Sequence, residues 1–220
     1  VRSIGSYAFA YTAIETLTLP ADVQSIGEGA FNRCEYLSEF KISDNSTAYS
    51  VFDGCLYNKS LTELLIVPRT KTTVAFPETL RVVAAGAFFK SNVKEVTLPA
   101  SVTTIESAAF AEATALESLT VPFIGGSASE NCYMLYIFGG SIFESEEDGK
   151  KTYKVSNSGA APSSLKKLTV TGALASVPDF AFAYLDSVSE LNLTGSITSI
   201  GMYGFYGTGL TEVVIPATVG

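Results

Sequence analysis

Short segments with the spacing apolar-x-x-apolar-x-apolar recur along the whole chain, as in Ile14–Leu19. The last two apolar positions are separated by one residue, which is the period of a β-strand that buries one face. A proline follows several segments and ends a strand there, because it has no N–H to donate to the ladder. The pattern predicts eight short strands, in segments that begin at Ile14, Leu37, Leu61, Val93, Leu116, Leu165, Val188 and Leu210.

A second motif, Ile-Gly-x-x-Ala-Phe, lies between most of these segments, as in Ile26–Phe31. Phe9 and Phe31 are 22 residues apart, and the same spacing separates Phe88 from Phe110. The motif is too short for a long helix. We therefore expect a turn or a short helical piece that crosses the side opposite the strands, with the phenylalanine pointing inward and the alanine allowing neighbouring coils to approach.

Repeats of about 23 residues predict a solenoid, because one coil cannot bury its own apolar edge and only stacking creates a continuous core. The expected fold is a leucine-rich-repeat-like right-handed coil. One parallel β-sheet forms one face, short turn or helical segments form the other, and β-hairpins are inserted. Eight strands spaced by about 4.8 Å give a body roughly 40 Å long. Residues 1–220 are expected to form a single solenoid that is a segment of a longer array.

Two stretches break the period. Residues 49–60 are expected to form a hairpin that turns at Asn58–Ser60 and replaces the alanine-phenylalanine motif. Residues 123–164 form a longer insertion, in which Cys132–Phe138 and Thr152–Val155 are expected to be strands of a projecting hairpin with an acidic turn. This insertion is either a binding element or a spacer.

Composition narrows the possible partners. The hydrophobic fraction of 47% excludes a disordered chain. A net charge of −8 makes nucleic acid an unfavourable partner, because the field of the protein repels phosphates. Charges, Gly and Pro interrupt every apolar run well before the roughly 20 residues that a spanning helix needs, so no membrane insertion is predicted within this segment.

The sequence contains no histidine, which removes the usual general base and most zinc sites. No phosphate-binding loop, nucleophile elbow or EF-hand loop is present. Three cysteines are too few for a disulfide scaffold, and we expect them to be buried as small apolar residues: Cys34, Cys55 and Cys132. We therefore expect a protein that is not an enzyme and that holds no cofactor and no metal.

One complete repeat carries a resemblance to a known family through Leu17, Leu19, Pro20, Ile26, Gly27, Ala30, Phe31 and Cys34. The pattern resembles the BspA-like leucine-rich repeat family of bacterial and protist proteins, and the parallel copies extend the resemblance over essentially the whole chain. The resemblance implies a secreted or cell-surface protein that uses its solenoid for adhesion or protein binding. It does not identify a ligand.

Outward positions of the predicted strands supply one candidate binding surface. Glu39, Glu63 and Glu95 would stack about 5 Å apart as a line of like charge that a basic ligand could relieve. The alternative is that glutamates only solvate the face. The candidates on this face are Glu39, Lys41, Glu63, Glu95, Lys167, Glu190 and Glu212, and those on the insertion are Glu144, Glu146, Glu147 and Asp148.

The function expected from these features is an extracellular binding or adhesion module whose partner is a protein or a glycan, including an extracellular molecule of a host. The alternative is an architectural spacer that holds another domain away from the cell surface. Neither the oligomeric state nor the mode of anchoring follows from the sequence.

Overall fold

The computed structural model describes residues 1–130, 132–147, 150–156, 161–214 and 219, without the side chains of 144–147 and 150–152. It is a β-solenoid of about eight turns with mostly parallel strands and almost no helix, which confirms the predicted fold class. The elements in chain order are β1 (Ser3–Ile4), β2 (Thr16–Leu19), β3 (Ser25–Ile26), β4 (Glu39–Ile42), β5 (Tyr49–Phe52), β6 (Cys55–Asn58), β7 (Glu63–Ile66), β8 (Val82–Val83), β9 (Glu95–Thr97), β10 (Thr104–Ile105), β11 (Ser118–Val121), α1 (Leu135–Phe138), β12 (Ser141–Glu147), β13 (Lys150–Ser156), β14 (Lys167–Ala173), β15 (Ser176–Val177), β16 (Glu190–Thr194) and β17 (Ser199–Ile200).

Six strands form the sheet face, which we define as β2, β4, β9, β11, β14 and β16. They pair in parallel as two groups, β2 with β4 and β9 through β11 and β14 to β16. Leu119 is in register with Val96 on one side and Leu168 on the other, and all three are buried. The repeat places the same apolar position in each coil, so the parallel register buries these side chains in one continuous row.

Short segments cross the opposite side of each regular coil. These crossing segments are residues 5–12, 27–34, 84–91, 106–113, 134–138, 178–185 and 201–208. Their backbones are joined from coil to coil: the N–H groups of Phe9, Phe88 and Phe182 donate to the next segment over 2.8 Å each. The crossing segments are therefore a second backbone ladder, built from turns instead of strands.

The side chains of the alanine-phenylalanine motif fill the space under this ladder. Phe88 stacks on Phe110 with 4.5 Å between ring centroids. The alanines that precede these two rings are 1% and 0% exposed. A Cβ at Gly27 would collide with the backbone of Gly5 and Ser6, so glycine is needed at this position, where the first two coils touch. The predicted inward phenylalanine and close-packed alanine are both observed.

The hairpin coil, residues 45–77, departs from this plan. Strands β5, β6 and β7 form an antiparallel meander, and β7 then pairs in parallel with β8. Strand β6 is buried on both faces, with Leu56 in one apolar cluster and Cys55 and Tyr57 in the other. The meander thus joins two cores that a regular coil would have merged into one.

Three predicted strands differ from the structure. The segment from Leu61 to Ile66 does form a strand, β7, but it pairs with β8 and not with the sheet face, because the meander has redirected the chain. Cys132–Phe138 is not a strand: its second half is the single-turn helix α1, which occupies the place of a crossing segment. The segment from Leu210 has no strand up to Val214, and residues 215–218 and 220 lie outside the described part of the chain.

Replacing Phe88 by alanine should lower the free energy of unfolding by about 3–5 kcal/mol, because a buried ring is lost and Phe110 loses its stacking partner. Urea denaturation followed by circular dichroism measures the change. Tyr36→Ala is the control, since that side chain is 60% exposed and its removal should alter stability little. Wild-type stability of the Phe88 variant would contradict the assigned core.

Replacing Tyr57 by phenylalanine should increase stability by about 1 kcal/mol or more. The Tyr57 hydroxyl is buried and has no hydrogen-bond partner among the described residues, so removing it relieves a desolvation penalty while the ring stays. Tyr36→Phe is the matched control, because the Tyr36 side chain is 60% exposed and loss of its hydroxyl should alter stability little. Equal effects in the two variants, measured by urea denaturation, would refute this account.

Candidate functional site

The sheet face carries outward side chains in two straight rows across β9, β11, β14 and β16. Successive members of a row lie about 4.8 Å apart, because they occupy the same register position on adjacent strands. The first row has mixed charge and consists of Glu95, Ser118, Lys167 and Glu190. The second row offers hydroxyl and amide groups and consists of Thr97, Thr120, Thr169 and Asn192.

Ion pairs neutralise part of this face. Lys167 Nζ lies 2.7 Å from the Glu190 carboxylate on the next strand, and Lys41 lies 2.8 Å from Glu39 on its own strand. Hydrogen bonds from Lys167 and Asn192 lower the pKa of Glu190. Glu95 makes no ion pair with another residue of the described chain. The charge that remains free to meet a ligand is therefore concentrated at Glu95.

The predicted line of Glu39, Glu63 and Glu95 is not formed. Glu63 is in register with Val82, which places it in the second sheet and away from the sheet face. The reason is the meander of the hairpin coil, which moves the segment from Leu61 out of the position that the repeat pattern assigned to it. Strands β4 and β9, which carry Glu39 and Glu95, belong to separate hydrogen-bonded groups.

The remaining predicted site residues lie elsewhere. Glu212 is exposed beyond the last strand and is not part of a described ladder. Residues 144, 146 and 147 belong to β12, which pairs with β13 as an antiparallel hairpin. The side chains of Glu144, Glu146 and Glu147 and the whole of Asp148 lie outside the described part of the structure. The ring of Tyr153 packs against Phe180 and Tyr203, so the hairpin rests on the crossing segments that follow it.

A groove that the repeat pattern did not predict lies between the crossing segments 27–34 and 84–91. It encloses about 650 Å³ and opens where the hairpin coil lacks a crossing segment of its own. Its floor includes Leu56, Leu65 and Ile66. The signal was present in the sequence, since Phe31 is followed by Phe88 and not by a phenylalanine about 22 residues later.

Glu63 and Glu28 are acidic residues that line this groove. Burial, followed by the negative charge of Glu106, raises the pKa of the Glu63 carboxyl. The lining also includes the charged or polar residues Asn32, Arg33, Asn58, Arg69 and Lys90. The Asn58 side-chain oxygen accepts from the backbone N–H groups of Thr62 and Glu63, at 2.9 and 3.1 Å. The amide oxygen thus holds the turn before β7.

The cysteines have structural surroundings. Cys34 donates its thiol hydrogen to the carbonyl oxygen of Phe9 over 3.0 Å, which ties one coil to the preceding one. Burial raises the pKa of the Cys55 thiol to about 12, so it stays protonated at neutral pH. Cys132 is half-buried, and all three cysteines are free. Among the described residues, no group of three or more His, Cys, Asp or Glu is placed to hold a metal ion.

Comparison with known proteins gives a consistent picture. The family model described as BspA type leucine-rich repeat region matches six copies, over residues 2–136 and 150–220. The crystal structure of a leucine-rich repeat protein from Eubacterium ventriosum ATCC 27560 is 22% identical with a TM-score of 0.60, and the match covers 99% of this chain and 59% of that one. A leucine-rich repeat protein from Bacteroides ovatus ATCC 8483 is 24% identical with a TM-score of 0.56, covering 100% and 53%.

A third solved structure is described as a leucine rich cell surface protein from Faecalibacterium prausnitzii A2-165. It is 21% identical with a TM-score of 0.52, and the match covers 89% of this chain and 52% of that one. This chain thus spans between 52% and 59% of the length of the three solved proteins. No curated protein matches the sequence significantly. In the described part of the chain, no helix is long and apolar enough to cross a membrane.

Glu63→Gln should raise the free energy of unfolding at neutral pH, because burial disfavours the charged carboxylate in the folded protein. The increase should be less than about 1 kcal/mol, because solvent largely screens the group. The raised pKa means that the charged form is less favourable in the folded protein. As the pH falls from neutral to about 4, Glu63 becomes protonated, and the difference in the free energy of unfolding between the wild-type protein and the variant should therefore disappear. Urea denaturation across this range measures the difference, with Glu78→Gln, an exposed site, as control. A difference that grows on acidification would contradict the assigned sign.

Proposed function

Because the chain belongs to the BspA-type leucine-rich repeat family, we propose that it is a secreted or cell-surface module that binds a protein or glycan partner through its sheet face. The name of the Faecalibacterium relative supports the location, since that protein is described as a cell surface protein. An extracellular molecule of a host is the partner class that fits an adhesion role.

The observation that carries the binding role is the pair of in-register rows on the sheet face. Four adjacent strands hold eight outward positions at a spacing fixed by backbone hydrogen bonds, so these side chains are positioned before any ligand arrives. A preordered surface loses less conformational entropy on association than a flexible one. The first row offers charge and the second row offers hydroxyl groups, which together suit a polar partner.

The charge balance indicates the sign of a protein partner. The chain carries 22 acidic and 14 basic residues, and Glu95 is not neutralised by a described neighbour. A basic surface would be attracted over a distance limited by salt to about 8 Å at physiological ionic strength. We propose that such a surface docks on the first row, beginning at Glu95.

The second candidate function is a spacer that holds another domain away from the cell. The two backbone ladders favour it, because a body paired along both sides resists bending. A spacer tolerates charge changes on the sheet face and a binding module does not. We propose that the module is not an enzyme, because the sequence has no histidine to serve as the usual general base.

Replacing Glu39, Glu95 and Glu190 together by glutamine should slow association with an extracellular partner about threefold or more and change dissociation less, because exposed charges chiefly steer encounter. Immobilised extracellular-matrix and serum proteins and a glycan array are the probes, and surface plasmon resonance at low and physiological salt supplies the rates. Asp22, Glu78 and Asp186 lie outside the sheet-face strands and are exposed, so their replacement by the neutral amides is the matched control.

If neither salt nor the sheet-face substitutions change the association rate, the first row is excluded as the binding surface. The spacer function is supported instead if no probe binds the wild-type protein and cells that carry the triple variant keep the biological activity of wild-type cells.

A further inference from the structure

We propose that the groove of the hairpin coil binds an extended peptide segment of a partner protein, which pairs with the open backbone edge of the crossing segment 27–34. The inference rests on the proposed binding function and gives that function a second site with a defined ligand chemistry.

At the regular junctions, alternate N–H groups of one crossing segment donate to the carbonyl oxygens of the next. Tyr7, Phe9 and Tyr11 donate to Glu28, Ala30 and Asn32 over 3.1, 2.8 and 2.9 Å. The same arrangement recurs later in the chain, where the donors are Gly86, Phe88 and Lys90 and again Phe180, Phe182 and Tyr184. Each crossing segment is thus completed by the segment that follows it.

The crossing segment 27–34 lacks this completion. Its alternate N–H groups, those of Gly29, Phe31 and Arg33, have no acceptor among the described residues. All three residues line the groove. The next coil is the hairpin coil, whose residues 67–69 line the groove, but none of its described carbonyl oxygens accepts from these three N–H groups. A backbone edge with three free donors on alternate residues is a template for pairing with another chain.

The opposite wall offers the complementary groups. In the crossing segment 84–91, the carbonyl oxygens that would accept from a preceding segment are those of Ala85, Ala87 and Phe89. Ala87 accepts from the Val67 N–H over 2.8 Å, whereas Ala85 and Phe89 have no donor among the described residues. The groove therefore presents free N–H groups on one wall and free C=O groups on the other. This is the arrangement expected where the crossing segment between two coils is missing.

The floor selects for apolar side chains. Leu65 and Ile66 are half-buried and lie between the two walls with Leu56. Phe31 is 7% exposed, whereas Phe88, which has a stacked neighbour in the next coil, is 1% exposed. A peptide that pairs with the edge would cover this floor and the free side of the Phe31 ring, and would add apolar burial to the backbone hydrogen bonds.

A peptide is the ligand that satisfies both walls. Only a polypeptide repeats a carbonyl and an N–H at the spacing of alternate residues, which is how Gly29, Phe31 and Arg33 are arranged. Five residues of ligand span the three donors, and the side chains that point to the floor are apolar.

Amide exchange tests the open edge in the free protein. Hydrogen–deuterium exchange followed by NMR should show the amides of Gly29, Phe31 and Arg33 exchanging at least about tenfold faster than those of Phe9, Phe88 and Phe182. Equal protection of the two sets would overturn the proposal, because the edge would then be closed already.

Selection from a phage-displayed library of random twelve-residue peptides tests the ligand class. We expect apolar sequences to be selected, and a synthetic peptide from the selection should slow exchange at Gly29, Phe31 and Arg33. Ala85→Arg, which adds a long side chain at an exposed groove position, should weaken that peptide at least about tenfold. Ser107→Arg is the matched control, since Ser107 is exposed at the same repeat position one coil later and outside the groove, and it should have little effect.

The groove is refuted as a peptide site if no peptide is selected. It is also refuted if the selected peptides bind the Ala85→Arg variant as tightly as the wild-type protein, or if they leave exchange at the three amides unchanged. A glycan that protected the same amides would refute the peptide as the ligand. The triple substitution of Glu39, Glu95 and Glu190 should leave peptide affinity unchanged, so loss of sheet-face binding and loss of groove binding are separate results.

Discussion

The structure depends on one constraint: no coil can satisfy its own backbone edge, so every coil needs the next. Hydrogen bonds join successive coils on the sheet face and again through the crossing segments, as at Phe9 with Ala30. The apolar side chains obey the same rule, since Phe88 is covered by Phe110 and Leu119 by its neighbours on both sides. Stability is thus distributed along the stack as nearest-neighbour terms, and any irregular coil must close two edges at once.

The hairpin coil meets this requirement in the core and not at the surface. Strand β6 is buried on both faces and connects the two apolar clusters, so the interior stays continuous through Leu56 and Tyr57. A backbone donor buried without an acceptor is costly, and the crossing edge at Gly29, Phe31 and Arg33 is tolerated because it faces an open groove. The same insertion that keeps the core intact therefore leaves an open backbone edge on the crossing segment 27–34 that remains available to a ligand.

Periodicity predicted the solenoid because each regular coil repeats the same apolar positions, and these positions alone determine which side chains face the core. It placed Glu63 wrongly because apolar spacing indicates a strand without indicating its partner, and Leu61–Ile66 has the spacing of a sheet-face strand while pairing with β8. The signal for the correct alignment lies further on. Val74 and Phe76 pack against the main core, and together with Pro77 they repeat the apolar spacing and terminal proline of Leu17–Pro20.

The groove and the sheet face would contact a ligand through different interactions, because they lie on different sides of the coil. Within each of its two hydrogen-bonded groups the sheet face is a paired ladder, so between paired strands the backbone is closed and side chains such as Glu95 and Lys167 make the contact with a ligand. Charge at that face sets the rate of encounter more than the lifetime of a complex. The groove has an open backbone and an apolar floor, which act at short range and prolong a complex once it forms. Glu39, Glu95 and Glu190 are not among the residues that line the groove, so each surface can be altered by substitution without changing a residue of the other. A partner that contacts both surfaces would bind more tightly than either contact alone allows, because the second contact forms within the complex that the first has made.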